Sequence, residues 1–255
     1  MSVTLVELTQ YLDQCLLIDQ FEDYCPNGLQ VEGRPNIVRL ATGVTACQSL
    51  VDAAIAWGAD ALLVHHGYFW HGEAPQIVGM KRRRLAALLA SDLSLLAYHL
   101  PLDAHSQLGN NACLGRLMGF DTECQESLYP GVPGGVGNIA SLSQPVRAAD
   151  FLEKIARITQ RSPLHIGDPD GLVQRIAWCT GAAQGYIDAA ISAGADLFIT
   201  GEVSEQTVHT AREQGIQFIA AGHHATERYG VQALGEHVAE RFALQHRFID
   251  VDNPV

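Results

Sequence analysis

The chain begins with apolar residues at helical spacing, separated by polar ones, across its first 21 positions, which predicts an amphipathic N-terminal helix. Further along, the apolar residues gather into short runs without alternation. Ala61 to Val64 and Leu197 to Thr200 are two of these, and such runs read as strands covered on both faces. Each follows a helix with small residues on one face and a Gly-Ala-Asp turn, in which the glycine ends the helix. Another strand ends near His99, a helical pattern starts near Ala225, and Leu85, Leu88 and Leu89 mark a helix of their own.

These patterns occur twice. Arg39 to Gly67 aligns without gaps to Arg175 to Val203, and the identities include Arg39/Arg175, Asp52/Asp188, Gly58/Gly194 and Asp60/Asp196. A second block, Leu95 to Asp103, lies against Ile219 to Glu227 with a changed offset, so that His99 falls on His223 and Asp103 on Glu227. Strand, helix and strand in each copy predict an α/β fold made of two interlinked, duplicated domains with largely parallel sheets. The expected halves are residues 1–125, carrying His65, His66 and Asp103, and residues 126–255. In the second, about 216–255 carries His223 and Glu227 and is expected to pack back against the first.

Composition narrows the function. The 255 residues include 28 acidic and 16 basic side chains, a net charge of −12, which argues against a broad nucleic-acid or anionic-lipid surface. No apolar run is long enough to span a bilayer, and the N-terminus lacks a basic, cleavable leader, so a cytoplasmic protein is expected. The six cysteines contain no Cys-x-x-Cys pair and read as free thiols in a reducing compartment.

Eleven histidines are the compositional anomaly, and seven fall in three windows: His65, His66 and His71; His99 and His105; His223 and His224. Each window starts just past a predicted strand, at the sheet edge where ligands collect in open parallel sheets. An isolated His-His is usually a surface or capping pair, but here the other windows add carboxylates. Pro101 puts Asp103 on a rigid loop after its strand, while His223 and Glu227 stand at i and i+4 on one helical turn. Imidazole plus carboxylate suits zinc, iron, manganese, cobalt or nickel, and not calcium or magnesium alone. Three histidines and two carboxylates match two ions about 3.5 to 4 Å apart. The basic run Lys81 to Arg84 could attract phosphates, though a solvated helix face is the plainer reading. The glycine-rich segment 131–137 lacks phosphate-loop spacing and reads as a strand entry.

The blocks Val64-His65-His66-Gly67, Tyr98-His99-Leu-Pro-Leu-Asp103 and Gly222-His223-His224-Ala-Thr-Glu227, with Asn27-Gly-Leu-Gln30, resemble the Nif-three-like (YbgI-like) dinuclear-metal family. Its members are often called GTP cyclohydrolase 1 type 2 homologues. The resemblance implies two divalent transition-metal ions on His65, His66, Asp103, His223 and Glu227, and a toroidal homohexamer enclosing the sites. His99 is assigned to proton transfer or to hydrogen bonding behind the ligands. The expected function is a hydrolase that activates water at the metals against a nucleotide-like or phosphorylated small molecule. The alternative is a metal-binding scaffold for storage, delivery or regulation without turnover.

Overall fold

The computed structural model describes residues 2–129 and 135–255, so the part of the glycine-rich segment before residue 135 lies outside the described residues. In chain order the elements are β1 (Val3–Thr4), α1 (Leu5–Cys15), β2 (Gly28–Val31), β3 (Asn36–Ile37), β4 (Arg39–Thr45), α2 (Gln48–Trp57), β5 (Ala61–His66), α3 (Gly79–Ala90), β6 (Ser94–Ala97) and α4 (Leu100–Ala104). There follow α5 (Asn110–Leu117), β7 (Glu126–Tyr129), β8 (Val136–Arg147), α6 (Ala148–Thr159), β9 (Leu164–Ile166), β10 (Leu172–Trp178), α7 (Ile187–Ser192), β11 (Leu197–Thr200), α8 (Glu205–Gln214) and β12 (Gln217–Ala220). Last come α9 (His223–Thr226), α10 (Arg228–Phe242) and β13 (Gln245–Phe248).

The chain divides into two compact units, Met1–Leu102 with Gly230–Asp252, and Asp103–Tyr229 with Asn253–Val255. The first holds a sheet of order β13-β4-β5-β6-β2, parallel except for the edge strand β2, and a short β1–β3 ladder. The second holds a sheet of order β7-β8-β10-β11-β12-β9, in which β10, β11 and β12 are parallel and the outer strands antiparallel. The duplication is visible as β4-α2-β5-α3-β6 and β10-α7-β11-α8-β12, α/β crossovers as the pattern predicts.

The repeated residues do the same work in both copies. Asp60 Oδ2 accepts the backbone N–H groups of Val38 and Arg39 at 2.8 Å each. Asp196 Oδ2 accepts those of Gln174 and Arg175 at 2.9 and 2.8 Å. Asp60 thus fixes the start of β4, and Asp196 the point within β10 where its register against β8 shifts. Arg39 in turn donates to the Trp57 carbonyl and Arg175 to the Ala193 carbonyl, at equivalent helix ends. Gly58 and Gly194 turn the chain there with φ of 76° and 73°, a left-handed conformation that costs other residues strain.

Alternation along the central strands of the second unit explains their unbroken apolar sequence. Ile176, Trp178, Leu197 and Ile199 face α6 residues Phe151 and Ile155, while Ala177, Phe198 and Phe218 face α7 and α8 residues Ile187, Ala190 and Ala211. Both faces are covered, so both parities must be apolar. In the first unit Leu62, Val64 and Leu95 pack with Leu50, Val51, Leu85 and Leu88 of α2 and α3. The basic run lies on α3, with Lys81 paired to Glu73 at 3.3 Å and Arg82 and Arg83 exposed. All six cysteines are free. Among the described residues no helix is long and apolar enough to cross a membrane.

Asp103 corrects one expectation. It sits in helix α4 and not on a rigid loop, because Pro101 falls in the helix's first turn, where its missing N–H is not needed.

Candidate metal centre

In the first unit, β5 delivers His65 and His66 at its C-terminal end, and β6, alongside in parallel, leads into Tyr98 and His99. The Tyr98 N–H donates to the Val64 carbonyl at 3.0 Å, which sets the two strand ends level. The ring centroids of His65, His66 and His99 stand 4.5 to 5.6 Å apart, and one nitrogen of each lies within 4.8 Å of the others. Glycine after His66 keeps this corner open, since a Cβ at Gly67 would come within 2.6 Å of Ala97 Cβ and 2.2 Å of Gln30 Oε1.

Each imidazole is held from behind through Nδ1. His65 Nδ1 donates to the Tyr98 carbonyl at 2.9 Å, and since a carbonyl only accepts, the neutral ring carries its lone pair on Nε2. His66 Nδ1 lies 3.0 Å from Thr45 Oγ1. His99 Nδ1 donates to Asp23 Oδ1 at 2.9 Å, and its backbone N–H donates to Asn27 Oδ1 at 2.8 Å. Tyr24 and Trp70 close on the His99 ring edge-on, with centroids at 5.1 Å. Burial alone would raise the Asp23 carboxyl, but hydrogen bonds from His99, Asn27 and the Leu100 N–H outweigh it and hold it at about 2. Cys25 stands in the same cluster with Asp23 and His99. Burial, reinforced by Asp23, pushes its thiol up to about 12, so a thiolate is not on offer.

In the second unit, His223 opens α9 and Glu227 closes it, with His223 Nε2 and Glu227 Oε2 3.2 Å apart. His223 Nδ1 donates to Glu202 Oε1 at 2.8 Å. Burial works against a proton on this ring, yet Glu227 and Glu202 together raise it to about 9. Glu227 is buried, and a Cβ at Gly181 would come within 2.2 Å of its Oε1, so the backbone there is cut back to make room. Asp103 Oδ1 accepts from Asn110 Nδ2 at 2.8 Å and from Thr180 Oγ1 at 3.3 Å. The Cys179 thiol is raised by burial, with Asp103 and Glu227 adding to the shift.

The first unit therefore gathers His65, His66 and His99, and the second carries Asp103 and the His223–Glu227 pair. Groups of buried histidine and carboxylate in this protein could hold a metal ion. The donor chemistry fits one, since imidazole nitrogens fixed through Nδ1 and carboxylates already accepting hydrogen bonds are the usual surroundings of transition-metal ligands. Asp23, Thr45 and Glu202 went unnoticed in sequence. For Glu202 a signal existed, because it occupies the repeat position of His66. At the position of His65 the second copy has Gly201, where a Cβ would stand 2.6 Å from the Gly181 carbonyl oxygen and from His223 Cα.

The chain is similar to known proteins over its whole length. A family model described as Duf34/NIF3 (NGG1p interacting factor 3) matches residues 3–254. A protein of Pseudomonas aeruginosa named GTP cyclohydrolase 1 type 2 homolog is 57% identical over 254 residues, covering 100% of both chains. A solved structure of protein ybgI, described as of unknown function, superimposes with a TM-score of 0.92 at 48% identity, covering 99% of this chain and 100% of that one. TTHA1606 of Thermus thermophilus gives a TM-score of 0.87 at 34% identity, with 99% and 100% covered.

Proposed function

Because the chain belongs to the DUF34/NIF3 family, we propose that it is a hydrolase that holds two divalent transition-metal ions with His65, His66, Asp103, His223 and Glu227 and acts on a nucleotide-like or phosphorylated small molecule. The observation that carries this reading is the common treatment of the imidazoles. Each has Nδ1 fixed by an oxygen, Tyr98 O for His65, Thr45 Oγ1 for His66 and Glu202 Oε1 for His223, which aims Nε2 as the donor atom. When bound, two such ions supply Lewis acidity that lowers the pKa of water and steadies developing negative charge on the substrate. Asp103 and Glu227 supply the carboxylates, oriented by Asn110 and Thr180 in one case and by the space above Gly181 in the other. His99, with its Nδ1 proton committed to Asp23, has Nε2 available to take up and return a proton during turnover.

The test is metal analysis of the purified chain, followed by a screen of nucleotides and phosphoesters against wild type and His65→Ala. The expected result is about two transition-metal ions per chain, with turnover lost in the variant while the fold is kept. Fewer than about 0.5 ions per chain would overturn the dinuclear reading. Two ions without turnover on any substrate class would assign the protein to metal storage, delivery or regulation instead. A hexamer is proposed with this reading, and light scattering should return six times the 27.6 kDa chain mass.

A further inference from the structure

Several arginines of the chain have an acidic partner. Arg34 pairs with Asp60, Arg147 with Asp150 and Asp170, and Arg157 with Glu153. Arg161 does not. It follows the left-handed Gln160 that ends α6, and its guanidinium forms no hydrogen bond or ion pair with any described residue. Nη1 is shut off from solvent without a partner, while the residue as a whole is only half-buried. A guanidinium stays charged at any physiological pH, and a sequestered donor without an acceptor is costly enough to call for an explanation.

The place it occupies supplies one. The guanidinium lies against Gly222, where an added Cβ would meet Nη1 at 2.1 Å and Cζ at 2.9 Å. Gly222 has φ of 102° and immediately precedes His223, so the backbone that delivers a candidate metal ligand is also shaped to admit this charge. A second cation stands in the same region. Arg228 directly follows Glu227, and its Nη2 donates to the Thr159 carbonyl, two residues before Arg161. A chain of net charge −12 thus keeps an unneutralised guanidinium beside the turn that bears His223 and Glu227.

We propose that Arg161 is an oxyanion-binding residue, its guanidinium seated on Gly222 to receive a phosphate or carboxylate group of the ligand handled beside His223 and Glu227. Planar N–H donors match both oxyanions, and Arg161 would orient the ligand without touching its reacting bond. This role rests on the metal centre proposed above, which it supplies with a second point of attachment.

The experiment titrates inorganic phosphate, and separately acetate, into the metal-loaded full chain by calorimetry at constant ionic strength, with metal content measured on every sample. Wild type should bind at least one of the two anions, and Arg161→Ala should weaken that binding by at least about tenfold with metal content unchanged. Arg161→Lys should fall between them, since it keeps the charge but loses the fork, and it provides the comparison should the alanine variant fail to fold. Phosphate alone, acetate alone or both would identify the oxyanion class. Equal binding by wild type and variants, or no binding of either anion by wild type, would overturn the role of Arg161 even if two metals are present. Binding that depends on Arg161 in a protein without metal would support the anion site and reject the metal centre.

Discussion

Replacing Glu202 with glutamine tests whether His223 is built as a metal ligand. In the metal-free protein the ring is held at about 9, so below that pH a metal must displace a proton from it. Glu202 therefore acts in two opposing ways. It aims Nε2 through the 2.8 Å bond to Nδ1 and adds negative charge near the metal, yet it also strengthens the competing proton. Loss of such a hydrogen bond behind a ligand typically costs about 10- to 100-fold in metal affinity, or roughly 1.4 to 2.7 kcal/mol. The side chains of His223 and Glu202 are 27% and 33% exposed, which places the expected loss toward the lower end. Glu202→Gln removes the carboxylate charge and lowers the pKa of His223, so the proton competes less. The deficit should accordingly be near its full size around pH 9 and should shrink as the pH falls to about 6.5. Competitive titration of zinc against a chromophoric chelator at both pH values measures it. A deficit of the same size at both, or none at pH 9, would refute this account of His223.

Three further outcomes are expected. Asp60→Ala strands two backbone N–H groups and the Arg34 guanidinium and should cost about 3 kcal/mol in urea denaturation, whereas the exposed Asp196→Ala should cost about 1 kcal/mol. Equal costs would refute the reasoning, which rests on Asp60 being buried and Asp196 exposed. Gly181→Ala forces a Cβ toward Glu227 Oε1 and puts alanine at φ of 71°, so metal content should drop by elemental analysis even where a folded protein is recovered. Asp23 is depressed to about 2, so its contribution is complete above the unfolded carboxyl range and is lost as pH falls through the folded value. Asp23→Asn should therefore cost about 1 to 2 kcal/mol at neutral pH, after allowance for solvent screening, and the gap from wild type should close in acid melts near pH 2.

The parts of the fold legible in the sequence are those set by local periodicity and by duplication. The strand-helix-strand repeat, the Gly-Ala-Asp turns and the alternation that hides both strand faces all follow from short-range rules, and the family membership follows from motif blocks in fixed order. The contacts that orient the candidate ligands join distant positions, and only Glu202 carries a signal, its place opposite His66 in the repeat. Asp23 meets His99 across 76 residues and Glu202 meets His223 across 21, and neither acidic residue stands out in its own window. The loop expected around Asp103 is a helix for a different reason, since a proline signals a break in one context and a helical first turn in another.

The glycine at position 201 makes the two copies unequal. With its Cα packed against the Gly181 carbonyl and the His223 backbone, the second copy has no room for the imidazole that the first copy carries at residue 65. A histidine introduced at residue 201 alone would therefore meet backbone atoms, and the chain around Gly181 and His223 would have to move to admit it. The two copies are therefore not interchangeable at this strand end. Any half-length design drawn from this protein would have to start from the first copy, the only one whose strand end still accepts a side chain there.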